Sequence, residues 1–336
     1  MIFGVTERSI YKRCRRQWYL SSLNHQALTP IIPRQALQIG SVYHQAQADW
    51  IADPQAHTLS DYFLQHANEE IDRIKQHYTD QIGAPPSDEE LEDSYSSMRM
   101  GHAMCVNYES YWKTPLPEGF TLVAPEQVII APIPGSQHIF SEGITTIPSH
   151  SHLCLECPTS HNIPCDGQNY LEGTLDSLIR DDKGYLYVLE RKTYENRPKL
   201  SDLQHNDQFL AYIWITQQLG IGDVAGVAYD GAWKRETPPK GRTLPDLFFR
   251  EILRRPQFEV DEFQQHLLAE TNEMMLNPAS YINRRWEGCW DCGLEKLCTA
   301  ISRDEDTEYV LHNEYTRRIR EDYNPKVIGR ATQVAD

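Results

Sequence analysis

Two carboxylates and a lysine lie close together in the middle of the chain. YLEGTLDSLIR (170–180), DDKG (181–184) and YLYVLERKTY (185–194) read as a β-hairpin, with Asp176 on the first strand and Glu190 and Lys192 on the second. Side chains alternate along a strand, so Glu190 and Lys192 share one face and Arg191 takes the other. Strand pairing can bring Asp176 beside Glu190. Two converging carboxylates make a hard, oxygen-rich site suited to Mg²⁺ or Mn²⁺. A lysine beside them can hold or deprotonate a water, or stabilise charge building on a phosphate. Together these are the groups needed for metal-assisted hydrolysis of a phosphodiester.

The cysteines form a second kind of site. WEGCWDCGLEKLC (286–298) spaces Cys289, Cys292 and Cys298 as C-x2-C-x5-C, and thiolate sites usually take four ligands. HSHLCLECPTSHNIPC (150–165) carries Cys154, Cys157, His161 and Cys165 within twelve residues, with His150 and His152 in reserve. Spacing this short in a segment of low apolar content favours a self-contained structural zinc site. The alternative is a loop whose thiols bind nothing. Cys105, between Met104 and Val106 on a helical stretch, reads as a packing residue.

These residues need a scaffold, and the pattern of the chain supplies an α/β one. Helical segments dominate the first part: TERSIYKRCRRQWYLSSL (6–23), QALQIGSVYHQAQADWI (35–51), 60–82 and 88–113, the last opened by a Ser87–Glu90 capping box. FTLVAPEQVIIAPI (120–133) reads as a strand, and 134–169 as an insert without helical period. After the hairpin come a helix at 203–220, strands at 223–233 and 244–255, and a helix at 261–277. The expected organisation is a helical part (1–119), a core (120–300) with a zinc insert at 148–168 and the cysteine array at 289–298, and a charged tail (301–336). The fold class is a central mixed β-sheet flanked by helices.

The chain has 336 residues, eight cysteines and a formal net charge of −16. It shows no secretory leader and no membrane-length apolar run, so an intracellular, cytoplasmic protein with no membrane contact is expected. In that reducing setting cysteines serve as ligands or core residues rather than disulfides. The acidic charge argues against a general nucleic-acid coat but leaves room for a local basic groove. Candidate basic segments are 12–16 (KRCRR), 197–199, 234–242 and Arg284–Arg285, with Trp18, Trp286 and Trp290 available to stack bases.

Gly40-x3-His44, Gly173-x2-Asp176, Glu190-x-Lys192 and Gln208-x3-Tyr212 follow one another in an order that resembles the PD-(D/E)XK nucleases of the RecB-like branch, over about residues 5 to 300. The resemblance implies a restriction-endonuclease-like core, with Asp176, Glu190, His44 and the carbonyl of Arg191 as metal ligands. Lys192 would position or activate the water, and Gln208 and Tyr212 would orient DNA or the Glu–Lys strand. Arg191 departs from the usual apolar or small residue, and its side chain can meet a phosphate or a neighbouring element. Glu126 is a weaker acidic candidate.

Nucleases of this branch that bear a 4Fe–4S cluster include CRISPR spacer-acquisition enzymes and the AddB nuclease domain. They place one cysteine before the core and three after it. By that resemblance Cys14 joins Cys289, Cys292 and Cys298, with zinc as the alternative occupant. The function implied is a metal-dependent DNA exonuclease acting on single strands or DNA ends. The alternative is a catalytically weak DNA-binding subunit of a recombination, repair or defence complex, with protein partners.

Overall fold

The computed structural model describes residues 1–31, 35–137, 168–276, 289 and 292–318. The chain opens with a short strand, β1 (Ile2–Gly4), where the sequence pattern suggests only helix. Helices α1 (Val5–Arg13) and α2 (Arg15–Ser21) follow, split at Cys14, whose backbone is extended (φ −158°, ψ 113°). Glu7 holds this start together. Its Oε2 accepts from the Gly4 amide at 3.1 Å, and its Oε1 accepts from Trp18 Nε1 at 2.9 Å. After β2 (Leu28–Pro30), three long helices pack on one another: α3 (Gln35–Ala52), α4 (Leu59–Ile82) and α5 (Asp88–Trp112). Thr58 and Ser87 cap α4 and α5 with reciprocal capping boxes.

Two sheets follow, and the chain passes between them twice at one level. The expected single strand at 120–133 divides into β3 (Phe120–Ala124) and β4 (Gln127–Gln137). The expected strand at 170–180 divides likewise into β5 (Gln168–Leu175) and β6 (Ser177–Asp181), so Asp176 stands at a break and not within a hairpin strand. Ala124 pairs with Leu178 and Gln127 with Leu175, which sets the two breaks opposite each other. Pro125 has no amide to give to a ladder, a local reason for pairing to stop there.

The main sheet is completed by β7 (Leu186–Tyr194), β8 (Val224–Trp233) and β9 (Phe248–Arg254), in the order β3-β6-β7-β8-β9. Only β7 and β8 are parallel in this mixed sheet, and α6 (Leu200–Gln204) and α7 (Asp207–Gln218) supply the crossover between them. The second sheet has the order β1-β5-β4. Phe209, Tyr212 and Ile213 of α7 and Val260, Phe263 and Leu267 of α8 (Gln257–Leu276) pack on Leu186, Val188, Val227 and Tyr229, covering one face. Helices α3 and α5 cover the other, over Leu189, Ala232 and Phe248. Cys105 is fully buried in this second layer, as a packing residue would be.

The described part of the segment expected as a charged tail, up to residue 318, folds back on the start of the chain. Helices α9 (Glu295–Arg303) and α10 (Thr307–Glu314) lead to β10 (Tyr315–Arg317), which pairs antiparallel with β2. Leu20, Leu28, Leu294, Leu297 and Tyr315 bury a small core at this junction. Among the described residues no helix is long and apolar enough to cross a membrane. The 148–168 insert lies outside the described residues except for Gln168, where β5 begins.

One buried polar cluster ties α5 to the sheet. The Asp230 carboxylate accepts from the Tyr108 hydroxyl and from Arg250 Nε at 3.0 Å, and the Arg250 guanidinium lies 3.7 Å over the Trp112 ring. Removing one partner of a buried ion pair strands the other charge in a low-dielectric interior. Asp230→Ala is therefore expected to destabilise the fold by about 3–5 kcal/mol. Urea unfolding followed by circular dichroism checks this, and a loss below about 1 kcal/mol contradicts it.

Candidate active site

The break between β5 and β6 turns Asp176 toward the next strand. Its Oδ2 accepts the Arg191 backbone amide at 2.6 Å, a bond that a residue within a regular strand would not make. Its Oδ1 lies 3.1 Å from His44 Nδ1 on α3. Glu190, only 1% exposed, sits on β7 with Lys192 Nζ 2.6 Å from its Oε1. Neither Glu190 oxygen receives a donor in hydrogen-bonding geometry. The structure thus brings Asp176, Glu190, Lys192 and His44 together from three elements.

Charge in this cluster is finely opposed. Burial would raise the Asp176 pKa, but the cationic His44, its hydrogen bond, Lys192 and the Arg191 amide outweigh it and hold the carboxyl low. Glu190 goes the other way. Burial and the neighbouring Asp176 charge outweigh Lys192 and raise it. His44 and Lys192 are both raised: burial opposes their charged forms, and the two carboxylates prevail.

As placed, no three His, Cys, Asp or Glu side chains among the described residues surround one point closely enough to hold a cation. The reason is local. Lys192 Nζ stands 2.6 Å from Glu190 Oε1 and His44 Nδ1 stands 3.1 Å from Asp176 Oδ1, so each carboxylate faces a nitrogen of the cluster and not a common point. The donor set still fits a hard divalent cation, because two buried carboxylates, one with orphaned oxygens, converge with an imidazole.

Gly173 and Tyr212 explain two of the spaced motifs. A Cβ at Gly173 would lie 2.7 Å from the Tyr212 ring, so only glycine lets that ring press against β5 just before Asp176. Gln208 Nε2 donates to the Tyr212 hydroxyl at 2.7 Å, and Asn206 Oδ1 caps the helix at the Gln208 amide. The buried Tyr212 therefore braces the aspartate strand. Gly40 is different: its nearest neighbour is Thr193 Oγ1 at 3.8 Å, ordinary contact that leaves room for a side chain.

Several expectations need correction. Of the two partners expected for the Arg191 side chain, a phosphate is ruled out by its burial and a neighbouring element remains; among the described residues its Nε and Nη2 have no hydrogen-bond partner. Its strand partner is Asp230. Trp18 is 1% exposed and bonded to Glu7, so it stacks no base. In the KRCRR run, Lys12 pairs with Asp207 and with Glu270 (2.6 Å), and Arg15 pairs with Glu273. These cations fasten α1 and α2 to α7 and α8. Glu126 lies beside the β3–β4 break, half-buried. Asp230, Tyr108 and Arg250 escaped the sequence reading; their one signal was an acid within the otherwise apolar strand VAGVAYDGAW.

Cys14, Cys289, Cys292 and Cys298 line one cavity of about 390 Å³ with Arg13, Arg16 and Gln17. Gln17 Nε2 donates to the Cys292 carbonyl at 3.2 Å, and burial, with Cys14 and Cys298 nearby, pushes the Cys292 thiol up. Tetrahedral zinc, with Zn–S bonds near 2.3 Å, would draw its sulfurs to about 3.8 Å apart. No such tight group is present among the described residues. Cys154, Cys157, His161 and Cys165, like Arg284, Arg285, Trp286 and Trp290, lie outside the described residues.

The mixed sheet, with acids and a lysine at a strand break, defines a protein of the restriction-endonuclease-like class. Residues 3–299 match the family model of the PD-(D/E)XK nuclease superfamily, and the chain belongs to that superfamily. A search of curated proteins finds no match. Among solved structures, the crystal structure of SSO0001 aligns at 15% identity over 89% of this chain and 86% of that one. Its TM-score of 0.35 is too low to bear on function.

A metal ligand must shed its proton, and the raised Glu190 and His44 both hold theirs to higher pH than the free side chains. Affinity for Mn²⁺ is therefore expected to rise with pH and to weaken on acidification earlier than an ordinary carboxylate site would. Calorimetric titration in buffers of different ionisation enthalpy should show protons released on binding. Affinity that does not change between pH 5.5 and about 8 would contradict this.

Proposed function

We propose that this chain is a Mg²⁺- or Mn²⁺-dependent deoxyribonuclease, working as an exonuclease on single strands or DNA ends. The observation that supports this most is the meeting of Asp176, Glu190, Lys192 and His44 at the β5–β6 break. Asp176, Glu190 and His44, with the Arg191 carbonyl, would hold the metal. When bound, the metal polarises the phosphoryl oxygen and lowers the pKa of an attacking water. Lys192, partly exposed, donates to that water or to the developing phosphorane charge. The Arg191 amide fixes one Asp176 oxygen in advance. Gln208 and Tyr212 brace the aspartate strand and keep its carboxylate on the metal side.

Asp176→Ala and Lys192→Ala are each expected to slow cleavage of end-labelled DNA by at least about a hundredfold in Mg²⁺ or Mn²⁺, a loss of roughly 2.7 kcal/mol. Variants that cleave as fast as the parent sink the assignment. A parent that binds DNA but cleaves none, across metals and substrates, is instead a DNA-binding subunit of a larger recombination, repair or defence complex.

The second part of the proposal concerns the thiolates. Cys14, Cys289, Cys292 and Cys298 hold a 4Fe–4S cluster that joins the two ends of the chain, and their common cavity supports this. Cys154, Cys157, His161 and Cys165 hold a separate structural zinc. Anaerobically purified protein should be brown and contain iron, and Cys14→Ala should lose the iron as fully as Cys292→Ala while one zinc per chain remains. A colourless protein containing only zinc overturns the cluster and leaves the nuclease untouched.

A further inference from the structure

The geometry points to a single-strand track built from Arg197 and Arg235, running from Lys192 across the carboxyl ends of β7 and β8 to the amino end of β9. The inference rests on the nuclease reading above and names the strand form that the same site receives.

The track begins in the register of the sheet. Lys192 pairs with Gly231, and Gly231 pairs with Phe249, so these residues form one row on the face that carries Glu190. Gly231 has no side chain, and the Tyr194 and Tyr229 rings fill the space over the middle of the row. A Cβ there would lie 2.8 Å from the Tyr194 ring and 2.9 Å from the Tyr229 ring, which close the floor on either side. At the far end of the row the exposed Arg197 lays its guanidinium 4.2 Å over the Phe249 ring. Trp233, the strand partner of Tyr194, carries the exposed Arg235 4.5 Å above its ring. Trp233 Nε1 donates to the Glu195 carbonyl at 2.7 Å, which pins the loop bearing Arg197 to the end of β8.

Most cations near the site are already spent on carboxylates: Lys192 on Glu190, Lys234 on Glu195 and Arg250 on Asp230. Arg197 and Arg235 are held by rings instead, and among the described residues neither meets a carboxylate. A ring fixes a guanidinium without neutralising it. The edge of each fork stays free for a phosphate, and its outer face can stack an unpaired base. A base inside a duplex has no free face to offer. That is why the arrangement selects single strands.

The test is binding of a fluorescein-labelled 20-nucleotide oligothymidine by the native full chain in EDTA, where no cleavage intervenes. Arg197→Ala with Arg235→Ala is expected to weaken binding at least tenfold. The slope of log affinity against log salt should become shallower by about 1.4, two phosphates at about 0.7 each. A blunt duplex should lose less than threefold. Arg197→Lys with Arg235→Lys keeps the charge but loses the planar stack, and should fall between parent and the alanine pair. If the alanine pair fails to fold, the lysine pair decides the matter, and parental affinity in it overturns the track. Alanine variants within twofold of the parent also overturn it, and equal loss on the duplex overturns the choice of strand. Failure of the parent to cleave any DNA with metal sinks the nuclease and leaves these binding results intact.

Discussion

The Asp176 carboxylate accepting the Arg191 amide is the contact on which the rest of the site depends. That amide is available only because the chain leaves one sheet at Leu175 and enters another at Ser177. The opposite break, after Ala124, makes room for the change of direction. A hairpin strand running straight through would send the 176 side chain wherever alternation dictates. The break instead points it along the neighbouring strand, where Glu190 and Lys192 emerge, and where α3 delivers His44. The acidic pair is thus a product of sheet geometry more than of the hairpin itself.

The two covering layers have divided labour. On the site face, Tyr212 presses through the gap at Gly173 and holds the aspartate strand from below. On the opposite face, the buried Tyr108–Asp230–Arg250 cluster fixes β8 and β9 against α5. Arg191 belongs to that second layer although its neighbours in sequence belong to the first. Strand alternation lets one tripeptide serve the chemistry with its outer members and the core with its middle one. The same alternation places Phe249 and Gly231 level with Lys192, which is how a surface on β9 becomes continuous with a site on β7.

Much of this was legible in the sequence. Spacing alone grouped Glu190 with Lys192, and the family resemblance implied both the approach of His44 and the closeness of Cys14 to the distant cysteine array. What stayed hidden were features that leave no periodic trace. No Gly or Pro stands at the β5–β6 break itself, between Leu175 and Ser177. Strand β1 is three residues long and exists because β5 offers it an edge. The basic run at 12–16 looks like a phosphate surface, yet acids on α7 and α8, remote in the chain, pair with its Lys12 and Arg15. Burial of Trp18 likewise depends on Glu7 reaching over from the preceding helix. Local pattern records which element forms; it does not record what packs across from it.

The junction of β2 with β10, beside the four cysteines, also sets an order of events at the ribosome. Cys14 leaves the exit tunnel long before Cys298, which lies 284 positions later in the chain. At about 5–20 residues per second, the first thiol waits roughly 15 to 60 s for its partners. The strand formed by residues 28–30 waits longer still for residues 315–317. Through that interval the nascent chain carries an exposed thiol and an unpaired strand edge. The nuclease core between them is complete by residue 276, so it can fold first and serve as the template on which the two ends meet.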